Sequence, residues 1–162
     1  MIVKIYCDDD YVFKILNNNV KKILDFFKIK SNQNITVKVL NIKDFQKEFE
    51  EYLNYPINSN VTGFIEDNRK TIVYLDYSQW KYTSHKKEKK EEYDKVIVHE
   101  LVHMIHSIFC NYNYPDDDLF EGVAYFLANQ TNNSYYDNFA HLVKQTTHEE
   151  LLKILNREQQ QP

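Results

Sequence analysis

Glycine and proline are scarce in this chain, with 2 Gly and 3 Pro among 162 residues. Such a composition argues against a disordered chain. Hydrophobic residues make up 43% of the chain, which is enough to form a buried core at this length. We therefore expect one folded domain over residues 1–162, built from long regular elements with short connections.

Cysteine is equally rare, because Cys7 and Cys110 are the only two and stand far apart. This pattern argues against a disulfide framework, and neither residue has the CxxC partner of a cysteine-based zinc site. Free thiols in a reducing compartment are the simpler expectation. The sequence before Asp8 has no apolar core of signal-peptide length, and a cytoplasmic location is therefore expected.

Long apolar runs and an excess of basic residues are also absent. No stretch approaches the roughly 18 consecutive apolar residues of a membrane helix. The formal net charge is −4, and no basic patch typical of nucleic-acid binding is present. We expect neither a membrane nor a nucleic acid as a partner, and a monomer is the default oligomeric state.

The apolar periodicity changes along the chain and predicts an α+β fold. The first half contains predicted strands at Met1–Tyr6, Ile35–Leu40, Val61–Glu66 and Thr71–Asp76, with helices at Tyr11–Phe27 and Ile42–Leu53. The last two strands are close enough in sequence to form a hairpin. After His85 the pattern is helical, with helices predicted at Lys87–Phe109 and from near Asp116, Ser134 and Thr147. We expect a mixed-sheet subdomain over residues 1–109 and a helical subdomain over 110–162.

One motif carries the functional argument. His99 and His103 enclose Glu100 in the HExxH sequence HELVH, inside a predicted helix. The i,i+4 spacing places both imidazoles on one helix face, so both can reach one ion. A catalytic zinc binds three protein ligands and keeps one position open, and Glu100 is placed to accept a proton from a water there. Two solvated or hydrogen-bonded histidines on a helix are the alternative explanation.

A third ligand is predicted at Glu121, 18 positions after His103, in the sequence LFEGVAYF. That separation lets the first helix finish, a loop cross and a second helix return. The neighbours of Glu121 are apolar, so its carboxylate would face a buried surface, where it needs a partner such as a metal ion. Gly122 would let this second helix approach the metal-bearing helix closely. We therefore expect one Zn²⁺ per chain, bound by His99, His103 and Glu121.

HELVH followed by LFEGVAYF resembles the gluzincin clan of zinc peptidases, whose next helix carries the pattern E-G-x-A. The resemblance implies a zincin-like fold, with an upper sheet subdomain, a lower helical subdomain and an active-site cleft between them. It also implies peptide-bond hydrolysis with Glu100 as general base and general acid. An extended peptide or protein substrate would pair with the strand edge at Val61–Phe64.

Gluzincins also use a tyrosine or histidine beyond the third ligand to stabilise the oxyanion. Tyr136 and Ala140 match the spacing of the aminopeptidase-like members, although Phe139 replaces their usual glycine. Tyr136 is therefore the predicted catalytic tyrosine. Other candidates stay open: Tyr112, Tyr114, Tyr125, Tyr135 and His141.

Two further alternatives concern His106 and the function as a whole. His106 follows the motif by three residues and is more simply a hydrogen-bonded histidine at a helix end than a ligand. A non-catalytic zinc-binding interaction domain and a hydrolase of non-peptide amides both stay open as functions. Glu100 favours an enzyme, because a structural zinc site needs no base and usually closes its fourth position.

Overall fold

The computed structural model describes residues 3–157, and the fold over this range is α+β, as the sequence predicts. One mixed four-stranded sheet, six α-helices and two short 3-10 helices account for its regular structure. The strands are β1 Val3–Cys7, β2 Gln33–Leu40, β3 Gly63–Glu66 and β4 Thr71–Leu75. The α-helices are α1 Asp10–Phe27, α2 Ile42–Leu53, α3 Lys90–Phe109, α4 Asp117–Leu127, α5 Ser134–Gln145 and α6 His148–Ile154.

The sheet has the strand order β1-β2-β4-β3, so β3 lies at one edge. β1, β2 and β4 run parallel, whereas β3 pairs antiparallel with β4. The predicted hairpin is therefore confirmed, with Gly63 opposite Tyr74. A 3-10 turn over Asp67–Arg69 closes it, followed by Lys70 in a left-handed conformation with φ 46°.

Side chains alternate between the two faces of the hairpin, because successive residues of a strand point to opposite sides. Phe64 packs on one face against Phe45 and Phe49 of α2, at ring-centroid distances of 5.3 and 5.2 Å. Tyr74 lies on the other face, where its hydroxyl donates a hydrogen bond to Ile97 O of α3 at 2.6 Å. The core therefore extends on both sides of the sheet, and α3 is fixed against the edge hairpin.

Side-chain caps explain where several helices begin. Five α-helices start after a residue whose side chain accepts a backbone N–H of the first turn: Asp9, Asn41, Asp116, Asn133 and Thr147. Such caps satisfy N–H groups that have no partner inside the helix. They account for the close agreement between predicted and observed starts, including α6 after Thr147.

Several details differ from the sequence prediction, including the start of the edge strand at Gly63 rather than Val61. α3 begins at Lys90 rather than Lys87, because a turn closed by the Glu88 N–H and His85 O precedes it. A 3-10 helix at Tyr77–Tyr82 was not predicted, since a single short turn has no detectable periodicity. The first two residues of the predicted strand Met1–Tyr6 lie outside the described residues.

The helices after α3 form a second layer of packing. α4 packs on both α3 and α5, and α5 contacts α6. His106 of α3 donates from Nε2 to Leu155 O at 2.8 Å, which joins α3 to the end of α6. Burial lowers the pKa of His106 to about 4, so its ring is neutral and acts as a structural donor. Within residues 3–157, no helix has both the length and the apolar character of a membrane span.

Candidate metal centre

α3 presents His99 and His103 on one face, one helical turn apart, as the HExxH spacing requires. Their ring centroids lie 4.5 Å apart, with an interplanar angle of 85°. Only 8% and 5% of the two residues is exposed. Two imidazoles so deeply buried need polar partners, since an unpaired polar group inside a protein is costly.

α4 supplies a common partner in Glu121. Its Oε1 lies 3.0 Å from His103 Nε2, and its Oε2 lies 3.3 Å from His99 Nε2. Ligand atoms of the three residues all lie within 4.8 Å of one another, a grouping that could hold a metal ion. The structure therefore brings together the three residues that the sequence selected as ligands.

The donor set and its spacing fit zinc. Catalytic zinc sites include the combination of two histidines and one glutamate, with bonds of about 2.0–2.2 Å in a tetrahedral arrangement. Two such ligand atoms stand about 3.3 Å apart by simple trigonometry. The two distances from Glu121, 3.0 and 3.3 Å, are close to that value. These distances run to different oxygens of Glu121, and the ligand atoms of all three residues lie within 4.8 Å of one another.

Charge pairing outweighs burial at this cluster. Burial raises the pKa of Glu121, but hydrogen bonds to His103 and His99 hold it well below its ordinary value. Burial lowers the pKa of His99, but the hydrogen bond to Glu121 and the charge of Glu100 leave it above its ordinary value. Glu121 is therefore an anion at neutral pH, as a cation ligand must be.

Glu100 lies beside the cluster and against the edge strand. It is 9% exposed, and it borders a cavity of about 460 Å³ together with His99 and Glu121. Burial raises the pKa of Glu100, while the nearby His103 and His99 act in the opposite direction. A carboxylate in this position could exchange a proton with a water or a substrate inside the cavity.

The start of the edge strand forms one wall of this cavity. Residues Val61, Thr62 and Gly63 border it, and so does His85. His85 holds the rim in place, with Nε2 at 2.7 Å from Asn60 O and Nδ1 at 2.8 Å from a carboxylate oxygen of Glu88. Residues 61–63 therefore border the same cavity as Glu100, and the binding of a peptide there stays a prediction.

The opposite wall contains Tyr125 and Gln130. The Tyr125 ring meets His99 edge-on at 4.8 Å, and it is stacked on Tyr135 at 5.4 Å. Burial and then the charge of Glu121 raise the pKa of Tyr125, so its hydroxyl keeps its proton at neutral pH. Tyr125, one of the candidates left open by the sequence, is therefore a hydrogen-bond donor next to the cluster.

Tyr136, the predicted oxyanion donor, lies elsewhere. Its ring packs against Phe126 with 5.6 Å between centroids, and it lines a separate surface cavity with Ala140 and His141. It is not among the residues that border the cavity of His99, within the described part of the chain. Its catalytic role stays a prediction without support from this placement.

The prediction that Gly122 lets α4 approach the metal-bearing helix α3 was wrong, because Gly122 faces α5. A Cβ added at this position would stand 3.1 Å from Phe139 Cβ and 3.3 Å from Tyr135 O, both of α5. Successive residues on a helix point in directions about 100° apart, so Glu121 can face α3 while Gly122 faces α5. The glycine therefore permits close packing between α4 and α5, and not the approach of α4 to the metal-bearing helix.

Gln130 and His85 line the cavity wall, and neither was predicted there. Both lie outside regular helices and strands, where no periodicity assigns a side chain to a face. One signal was present for Gln130, because Asn129 follows α4 and asparagine is common where a helix ends in a left-handed turn. That signal predicts a chain reversal, but it does not predict which side chain the loop meets.

Comparisons with known proteins add no family assignment. No family model, no curated protein and no solved structure matches this chain. The resemblance to gluzincins therefore rests on the HExxH motif and on the sequence around Glu121.

Proposed function

We propose that this chain is a zinc-dependent peptidase of the gluzincin type, with a zincin-like fold and one zinc ion per chain. The main support is the convergence of His99, His103 and Glu121, with His–Glu distances of 3.0 and 3.3 Å. Glu100 borders the same cavity. A structural zinc site needs no such carboxylate, whereas a hydrolase needs a base beside an open position.

The three ligands and Glu100 would have different roles in the reaction. A zinc ion, when bound, would polarise the scissile carbonyl and lower the pKa of a water to near 7. His99, His103 and Glu121 would hold the ion. Glu100 would accept a proton from the attacking water as its oxygen adds to the carbonyl carbon. It would then deliver that proton to the amine nitrogen as the C–N bond breaks.

The edge strand supports a peptide rather than another amide as the substrate. Within residues 3–157, β3 pairs with β4 along one side only, and residues 61–63, which lead into β3, border the cavity. The N–H and C=O groups of an edge strand can pair with an extended peptide as one more strand. Such pairing would carry a peptide bond past Glu100, whereas a small amide offers no extended backbone for the strand to bind.

Zinc content and turnover, measured on the same samples, test the proposal. We expect one zinc per chain by plasma mass spectrometry, and cleavage of peptides in a mixed library. Glu100→Gln keeps the size of the side chain but cannot accept the proton, so zinc should stay while kcat falls by about 10²–10⁴. Glu91→Gln, the same change in the exposed first turn of α3, is the matched control and should match wild type.

Each outcome separates one alternative from the others. Unchanged hydrolysis by Glu100→Gln would contradict the role of this residue as the base. Zinc bound by a protein that cleaves no library peptide would support a non-catalytic zinc-binding domain. Cleavage restricted to small non-peptide amides would instead support the amide hydrolase. Wild-type protein without zinc affinity would contradict the metal centre itself.

A further inference from the structure

The loop after α4 places a glutamine amide against the first histidine of the motif. Gln130 Oε1 lies 2.6 Å from His99 Nδ1. The other ring nitrogen of His99, Nε2, faces Glu121 Oε2 at 3.3 Å. Gln130 also borders the cavity shared by His99 and Glu100. Each nitrogen of the His99 imidazole therefore has its own polar partner.

The backbone of Gln130 is fixed from both sides. Asn129 has a left-handed φ of 55°, and its N–H donates to Phe126 O at 3.2 Å. The N–H of Gln130 donates to Tyr125 O at 2.9 Å, which completes a Schellman motif at the end of α4. Asn133, the N-cap of α5, donates from Nδ2 to Gln130 O at 2.8 Å. The ends of two helices thus fix the backbone from which the Gln130 side chain extends to His99.

We propose that Gln130 is a positioning residue of the metal centre, whose amide oxygen accepts the Nδ1–H of His99 and directs the Nε2 lone pair at the ion. This inference rests on the proposed zinc site. A neutral imidazole carries one N–H, and an acceptor at Nδ1 retains it there. Nε2 is then free to act as the ligand atom, whereas a proton on Nε2 would block metal binding.

His103 has no equivalent contact. Its Nδ1 is buried and has no hydrogen-bond partner among residues 3–157. Its ring is instead stacked on Phe120, with 4.3 Å between centroids and an angle of 13°. Packing therefore orients His103, whereas a hydrogen bond orients His99. Loss of the Gln130 amide should consequently change which nitrogen of the His99 ring carries the proton. The His103 ring should be unchanged.

Two substitutions at one position separate hydrogen bonding from packing. Gln130→Met keeps an unbranched side chain of similar length but has no strong acceptor, and we expect zinc affinity to fall by about 10–100-fold. Gln130→Glu restores an acceptor and should bind zinc at least as tightly as wild type. Gln145→Met, the same change on an exposed position of α5, is the control. Zinc affinity would be measured by chelator competition.

The protonation state of the imidazole gives a second readout. In zinc-loaded wild type, long-range ¹H–¹⁵N spectra should show His99 protonated at Nδ1, with a proton protected from exchange. Gln130→Met should lose that protection, while the His103 signals stay unchanged. If the wild-type protein binds zinc and Gln130→Met shows the same affinity and the same spectra, this inference is overturned and the proposed function is not. Absence of zinc binding by wild type would overturn it together with the proposed function.

Discussion

Gly63 of the edge strand lies directly against the side chain of Glu100. A Cβ added at Gly63 would stand 3.0 Å from Glu100 Cγ and 3.5 Å from its Cδ. The φ of Gly63 is not positive, so space and not backbone conformation is the reason for a glycine at this position. The Glu100 side chain therefore fills the space that a side chain at residue 63 would need. A larger residue at this position would displace the carboxylate.

Gly63→Ala should impair catalysis without loss of the metal. The added methyl group would push the Glu100 side chain by a few tenths of an ångström. Since a displacement of about 1 Å can reduce a rate by about 10²-fold, we expect this smaller shift to lower kcat by up to about 10-fold. Zinc content should stay at the wild-type value. The three atoms nearest to the added Cβ belong to Glu100 and Tyr74, and neither residue is a proposed metal ligand. Peptide hydrolysis and metal analysis of the same sample check both statements.

Gly122→Ala is the matched control for that substitution. Its added Cβ would press on Phe139 and Tyr135 of α5, at 3.1 and 3.3 Å. We expect a loss of stability of about 1–3 kcal/mol in urea unfolding, as for other overpacked cores. The kcat of the folded fraction should change little. The same loss of kcat in both alanine variants would contradict a specific effect of Gly63 on Glu100.

Glu121→Ala should lose zinc. It removes the carboxylate that contacts both histidines, and two imidazoles alone give an incomplete donor set. Asp118→Ala, an exposed acidic residue in the first turn of the same helix, should keep wild-type affinity. Chelator competition measures both. Full zinc affinity in Glu121→Ala would require another third ligand, and His106 is a poor substitute because its Nε2 donates to Leu155 O.

Two tyrosines can be compared as oxyanion donors. Tyr125 borders the cavity and contacts His99, so we expect Tyr125→Phe to lower kcat by about 10²–10³, the usual effect of losing one such donor. Tyr136→Phe should have a smaller effect, because its ring packs on Phe126 and lines a separate cavity. Zinc content should be unchanged in both. A larger loss in Tyr136→Phe would instead support the assignment made from sequence spacing.

Glu66 should make the stability of the protein depend on pH. Its side chain is 1% exposed, and Arg69 Nη1 stands 3.7 Å from its carboxylate. Burial, followed by the neighbouring Glu48, raises the pKa of Glu66 to about 7 from an ordinary value of 4.5. The folded protein therefore holds a proton that the unfolded chain releases, and this residue costs more stability as pH rises from 4.5 to 7.

Glu66→Gln isolates that effect, because the amide is uncharged at every pH. The variant should be more stable than wild type by about 1–3 kcal/mol at pH 8, with a much smaller difference near pH 4.5. Glu48→Gln is not a neutral control, since Glu48 pairs with Lys38 at 2.9 Å. Glu51→Gln on the exposed side of α2 is the better comparison. A difference that is equal at both pH values would contradict the raised pKa.

Local signals in the sequence determined most of the secondary structure. α2 has the predicted bounds Ile42–Leu53, because an apolar stripe and the Asn41 cap define it without help from distant residues. The hairpin of β3 and β4 also follows from adjacent residues. The relation between His99 and His103 is local too, since one helix fixes both side chains. The sequence was therefore sufficient for the part of the candidate site that lies on a single element.

Contacts between elements were decided only by the tertiary structure. Whether Glu121 reaches the histidines depends on how α4 crosses α3, and the sequence could only make that crossing plausible. The contact between Gln130 and His99 depends on the path of the loop after α4. The contact between Gly122 and α5 depends on how α4 and α5 pack. Periodicity determines which face of an element a residue occupies, whereas the neighbour of that face is set by the packing of the whole core.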